Sequence, residues 1–193
     1  MNEDSPRRIA LFGGTFDPIH EGHLAIASKA RDALALDEVR FLPCHVSPHK
    51  TGAVSAPPQD RLEMVRLATR DLPWAVADEH DLRAPQPAYS YRTAEEMARR
   101  YPGSRLFWLM GADQWRALPR WKEPERLAAR VEFIVFARDG APAPRPPWKA
   151  HFVEGLHPAS ATGIRQKLAM GEEPAWLPAP VAGYIRRKGL YKP

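Results

Sequence analysis

The stretch that decides the fold is Gly13-Gly14-Thr15-Phe16-Asp17-Pro18-Ile19-His20-Glu21-Gly22-His23. An apolar run, Ile9-Ala10-Leu11-Phe12, leads into it. A segment with apolar residues at helical intervals, Glu21 to Leu36, leads out of it. That order reads as strand, turn, helix. The paired glycines suit a tight turn and let backbone N–H groups come close to a ligand. The helix that follows directs its unpaired N–H groups and the positive end of its dipole back to the turn. A helix start of this kind binds phosphate. His20 and His23 stand three residues apart at the first helical turn. They fall on one face, where both can donate N–H bonds to phosphate oxygens.

Two other readings compete for the histidines: a metal centre, and a pair of unrelated surface residues. The zincin pattern His-Glu-x-x-His sets its histidines four apart. Here they are three apart, and no third ligand stands at a recognisable spacing, although His45 and His49 occur elsewhere. No residue is assigned to a metal. The dinucleotide pattern G-x-G-x-x-G and the P-loop pattern G-x-x-x-x-G-K-[ST] are both absent. The site is therefore neither a simple dinucleotide fold nor a P-loop.

Outward from this stretch, short β-rich runs alternate with helical ones. Strands are expected at Arg8–Phe12, Val39–Leu42, Trp74–Ala77, Leu106–Met110, Val131–Phe136 and His151–Val153. Helices are expected at Glu21–Leu36, Arg61–Leu72 and Thr93–Arg100, with two more after the last strand. The runs at 106–110 and 131–136 are almost wholly apolar, as strands become when both faces of a sheet are covered. Repeated strand-then-helix order predicts an α/β fold with a parallel sheet and right-handed crossovers. Two proline-rich stretches break the pattern: Ser55–Asp60, and Gly140–Pro147. Too few residues follow the second for an independent core. The reading is one domain over 1–193, with the region from about 155 helical and packed on the same core.

The single cysteine, Cys44, excludes an internal disulfide and a cysteine-rich zinc site. No apolar run approaches the roughly 18 residues of a membrane span, and the N-terminus does not read as a secretory signal. A cytoplasmic protein with no membrane partner is expected. The net charge of +5 suits anionic small molecules or nucleic acid alike.

The stretch Gly13–Leu24 resembles the nucleotide-binding signature of the bacterial nicotinate-mononucleotide adenylyltransferases, within the nucleotidyltransferase superfamily. Further segments resemble that family in order along the chain. They are Leu42–Lys50, ending Pro-His-Lys; Tyr89–Thr93; Gly111–Trp121 with Phe133–Arg138; Ala159–Arg165; and Pro180–Tyr191. Ala88, Arg92, Ala159 and Ala161 depart from the pattern, the first two in the segment that would hold the pyridine nucleotide.

The resemblance implies a Rossmann-like doubly wound parallel sheet flanked by helices. It also implies adenylyl transfer from ATP to nicotinate mononucleotide, giving deamido-NAD and pyrophosphate in NAD biosynthesis. Nicotinamide mononucleotide and phosphopantetheine are the rival acceptors, and a non-catalytic nucleotide- or RNA-binding module is the rival of another class. ATP and nicotinate mononucleotide are the implied partners, with no nucleic acid; a homo-oligomer stays open. Mg2+ is implied as the ion carried with ATP.

By the same resemblance, His20, His23, Lys50 and Arg165 carry the reaction, with His23 at the reacting α-phosphate. Gly13, Gly14, Thr15, Phe16, Ser160 and Thr162 join the two histidines and Arg165 in the ATP site. Tyr89, Ser90, Asp113, Trp121, Arg138 and His49 fall to the pyridine nucleotide. Plainer readings stand beside these roles. Lys50 suits a solvated loop, Trp121 a core, Arg138 a surface ion pair, and Ser160 and Thr162 a helix cap. Asp17, before a proline, reads as a turn residue.

Overall fold

Alternation along the strands builds two apolar layers. The structure, a computed structural model, describes residues 6–45, 56–137, 140, 142–155 and 157–192. The expected site residues His49, Lys50 and Arg138 lie outside them. The strands are β1 (Arg8–Gly14), β2 (Glu38–Pro43), β3 (Ala75–Ala77), β4 (Arg105–Gly111), β5 (Glu132–Ala137) and β6 (Ala150–Glu154). The helices are α1 (Glu21–Leu34), α2 (Pro58–Thr69), α3 (His80–Arg83), α4 (Ser90–Arg100), α5 (Ala112–Ala117), α6 (Pro124–Ala128), α7 (Ala161–Ala169) and α8 (Ala179–Lys188).

Successive side chains of a strand point to opposite faces. Ala10 and Phe12 of β1, Phe107 and Leu109 of β4, and Ile134 and Phe136 of β5 face one layer, where Ala27 and Ala30 of α1, Met64 and Val65 of α2, and Val181 and Ile185 of α8 cover them. The alternate residues, Ile9, Leu11, Leu106, Trp108, Phe133 and Val135, face the other layer. Tyr91, Ala94 and Met97 of α4, Trp115 of α5 and Leu127 of α6 cover that side. Each large side chain fully buried in this way contributes about 1.5–3 kcal/mol.

The six-stranded sheet runs β3-β2-β1-β4-β5-β6, and every strand pairing is parallel. The order reverses between β1 and β4. In such a sheet, ligands bind in the crevice at the carboxyl ends of the strands at that switch point. The Gly13-Gly14 end of β1 and the Gly111 end of β4 meet there.

Boundaries shift from the expected ones for local reasons. Helix α1 stops at Leu34 because Ala35 takes a left-handed conformation (φ 46°) and donates its N–H to Arg31 O. Helix α2 starts at Pro58, not Arg61, since a proline is well accommodated in a first helical turn. The Tyr89–Thr93 segment, which leads up to the expected helix start at Thr93, already forms the start of α4. Tyr89 is its N-cap and Ser90 its first residue, so the donors on offer are those of a helix N-terminus. The C-terminal region places α8 against α2, where Tyr184 Oη donates to Asp60 Oδ1 at 2.6 Å.

Candidate active site

The glycine pair does not make the turn. Gly13 and Gly14 are the last residues of β1 and pair with Leu42 and Pro43 of β2. They serve close packing instead. A Cβ on Gly13 would stand 3.2 Å from the Trp108 ring, and one on Gly14 would stand 3.0 Å from the Phe16 ring. The turn is made at Phe16, whose φ of 48° is left-handed, a conformation that costs a bulky residue of order 1 kcal/mol. Its burial explains why it is held. Phe16 is 2% exposed and packs edge-on to Phe12 at 5.4 Å and to His23 at 5.1 Å. The Phe16 ring therefore belongs to the core beneath His23.

His20 is the N-cap of α1, and His23 is its third residue. Their rings stack with centroids 3.8 Å apart. The His20 N–H donates to His23 Nδ1 at 3.3 Å, which sets the proton of the neutral His23 ring on Nε2. Phe12 and Phe16 close the back of the pair.

A cavity of about 250 Å³ opens in front of these rings. Its walls come from the start of α1 (His20, Gly22, His23), from His157 and Ala159, and from the start of α7 (Ser160, Ala161, Thr162). Two helix N-termini therefore converge on one cavity, an arrangement suited to phosphate oxygens. Ser160 caps α7, accepting from Gly163 N at 3.4 Å, and Thr162 Oγ1 accepts from Arg165 Nη2 at 3.4 Å. The structure thus brings together His20, His23, Ser160 and Thr162, with Arg165 bonded to the rim. A larger depression of about 500 Å³ lies around the amino ends of β4 and β5, with Arg105 and Glu132 in its wall. It is at the wrong end of the strands for the switch-point site.

The motif loop is clamped from outside by residues that local sequence patterns do not reveal. Asp17 is no mere turn residue: it is 8% exposed. Its Oδ1 accepts from Ala56 N at 3.0 Å and from Tyr191 Oη at 2.6 Å. Its main-chain oxygen accepts from Arg165 Nη1 at 2.7 Å. Arg61, 1% exposed, donates to three carbonyls: Ala56 O at 3.0 Å, Thr15 O at 2.6 Å and His45 O at 2.7 Å. Thr15 is thus anchored by its main-chain oxygen, and it does not line the cavity. His157 was also missed. Its Nδ1 accepts from Ala159 N at 3.1 Å, and its ring meets Trp176 edge-on at 5.2 Å.

Of the other expected residues, Tyr89 and Trp121 pack against the second apolar layer, on the opposite face of the sheet. Trp121 is partly buried and edge-on to Trp108 at 6.4 Å, and its buried Nε1 has no hydrogen-bond partner among the described residues. Asp113 lies in the first turn of α5, just past the carboxyl end of β4. Its carboxylate is 91% exposed and pairs with Arg116. Tyr89 stacks with Tyr91 at 6.0 Å. Arg92 is exposed, lies over both tyrosine rings and donates to Tyr91 Oη at 2.9 Å. Among the described residues, no three His, Cys, Asp or Glu side chains group to hold a metal ion.

Comparison with known proteins agrees with this fold. Residues 11–167 match the cytidylyltransferase-like family. A protein of Thermus thermophilus named "Probable nicotinate-nucleotide adenylyltransferase" is 40% identical over 190 residues, covering 96% of this chain and 100% of its own. One of the same name from Aeromonas salmonicida is 38% identical, covering 95% of this chain and 97% of its own. The chain belongs to the nicotinate-nucleotide adenylyltransferase family. The fold of this adenylyltransferase is also that of the Plasmodium falciparum nicotinic acid mononucleotide adenylyltransferase. Its structure complexed with NaAD superposes with a TM-score of 0.76 at 17% identity, covering 96% of this chain and 97% of that one. Its complex with APC gives 0.73 over the same shares.

Proposed function

We propose that this nucleotidyltransferase joins ATP to nicotinate mononucleotide, forming deamido-NAD and pyrophosphate for NAD biosynthesis. One observation carries the mechanism: the starts of α1 and α7 face one cavity, with both histidines in its wall. The ligands of the structural neighbours support nucleotide substrates, since one P. falciparum structure is complexed with NaAD.

The nucleophile is a phosphate oxygen of the mononucleotide. A phosphate monoester is largely dianionic at neutral pH, with its second pKa near roughly 6, so no base is required. That oxygen forms a bond to the α-phosphorus of ATP, and the bond from the α-phosphorus to the bridging oxygen breaks. Pyrophosphate leaves with the electron pair. Catalysis consists of alignment and of charge stabilisation by preorganised donors. His20 and His23 donate to the ATP phosphates, with the His23 Nε2–H at the α-phosphate. Arg165 and Lys50 serve the outer phosphates, and Ser160 and Thr162 complete the rim. Magnesium enters with ATP as part of the substrate, held by phosphate oxygens and water. Asp17 is not offered to it, because its carboxylate already takes Ala56 N–H and the Tyr191 hydroxyl.

Across the switch point, the Ser90 end of α4 supplies N–H donors for the nicotinate carboxylate. Trp121 supplies a face for the ring, and Asp113 accepts from ribose hydroxyls; His49 and Arg138 complete that side. The test is pyrophosphate release from ATP in the presence of nicotinate mononucleotide, nicotinamide mononucleotide or phosphopantetheine in turn. Release with the first is expected, and release with phosphopantetheine alone would reject the proposal.

A further inference from the structure

We infer that Tyr191, close to the end of the chain, is a positioning residue for Arg165: its hydroxyl holds the Asp17 carboxylate away from the guanidinium, so that Arg165 stays available to the phosphates of ATP. The inference rests on the proposed role of Arg165 toward those phosphates.

The geometry is a three-way contest for Asp17. Its Oδ1 is taken by Tyr191 Oη at 2.6 Å and Ala56 N at 3.0 Å. Its Oδ2 stands 3.9 Å from Arg165 Nη1, too far for a hydrogen bond. Nη1 donates instead to the Asp17 main-chain oxygen at 2.7 Å, and Nη2 reaches Thr162 at the cavity rim at 3.4 Å. A guanidinium has five N–H donors, and these two contacts leave others for a ligand. A carboxylate free to turn would close on the guanidinium as a bidentate pair, the strongest arrangement open to them. That pair would neutralise the cation and occupy the donors needed by phosphate. Tyr191 prevents the closure by fixing Oδ1.

Tyr191 is itself held firmly. Its backbone is left-handed, with φ 62°, unusual for a bulky residue. Leu190 N bonds to Ile185 O at 3.2 Å behind the Gly189 cap of α8, and Tyr184 and Lys188 tie α8 to Asp60 of α2. Burial and the neighbouring carboxylate push the phenol well above its usual range, so it remains a donor at working pH.

The test compares wild type, Tyr191→Phe, Arg165→Ala and the double variant. KM for ATP, KM for the mononucleotide, kcat and Tm are measured for each. Tyr191→Phe is expected to raise KM for ATP on the order of ten-fold, the scale of one charged hydrogen bond, and to leave the mononucleotide KM unchanged. In the Arg165→Ala background it should change KM for ATP no further. An equal rise in both KM values, a change in Tm alone, or the same rise without Arg165 would overturn the positioning role. An unchanged KM for ATP in Arg165→Ala would instead reject the phosphate role of Arg165, and the Tyr191 inference with it. If Arg165→Ala does not fold, Arg165→Gln replaces it.

Discussion

Replacing His23 separates two jobs that its ring performs. One is structural: Nδ1 accepts the His20 N–H at 3.3 Å, and the ring packs on His20 at 3.8 Å and on Phe16 at 5.1 Å. The other is proposed: the Nε2–H donates to charge building on the α-phosphate. His23→Ala removes both. Loss of a helix-cap bond costs about 1 kcal/mol, and loss of aromatic contacts costs about 0.5–1.5 kcal/mol. For a chain of this size the sum lowers Tm by a few degrees, roughly 3–10 °C. Removing one preorganised donor lowers turnover about 100- to 1,000-fold. His23→Asn restores an acceptor close to the Nδ1 position but not the Nε2–H. It should regain much of the Tm and none of the turnover. The assay is kcat for pyrophosphate release at saturating substrates, beside thermal melts of both variants. Near-normal kcat in His23→Asn would refute the reasoning.

Three further outcomes are expected. Gly14→Ala sets a Cβ 3.0 Å from the Phe16 ring. Overpacking of that kind costs about 1–3 kcal/mol, and because Phe16 underlies His23 it should lower kcat together with Tm; a normal kcat at unchanged Tm would contradict the packing role of this glycine. Asp81, 5% exposed, is pushed up to about 7 by burial, with nearby Asp78 adding to the rise and the Thr93 hydroxyl opposing it. The folded state therefore keeps a proton that the unfolded chain releases near its usual carboxylate value, and stability falls as pH rises toward about 7 by up to about 1.4 kcal/mol per pH unit. Melts of wild type and Asp81→Asn from pH 5 to 7 should diverge with pH in favour of the variant, and a constant difference would count against it. Trp121→Ala should raise KM for the mononucleotide far more than KM for ATP, and a rise for ATP alone would remove the stacking role.

The central strands of this fold are legible because both their faces are buried. The runs in β4 and β5 are apolar at nearly every position, and the pattern of β1 ends at its glycines. Helices α3, α5 and α6 are too short for a 3.6-residue period to show. The Pro57-Pro58 pair reads as a break although it forms the start of α2. The histidine pair and the start of α7 carry local signals, a glycine-rich helix entry and a Ser cap. The clamps around them carry none. Arg61 reaches Thr15, 46 positions away, and Tyr191 reaches Asp17, 174 positions away; only the folded chain brings them together. The function of Gly13 and Gly14 was also invisible locally, since it depends on the rings of Trp108 and Phe16.

Adenylyl transfer to the acid mononucleotide is decided by kcat/KM measured with nicotinate and nicotinamide mononucleotide under identical ATP. In the proposed site a carboxylate would satisfy the N–H donors at the start of α4, whereas an amide NH2 would face them unpaired. Each buried mismatch costs about 1–3 kcal/mol, so a preference of about ten- to a hundred-fold for the acid is expected, with deamido-NAD and pyrophosphate formed in equal amounts. Equal kcat/KM for the two, or a preference for the amide, would contradict it.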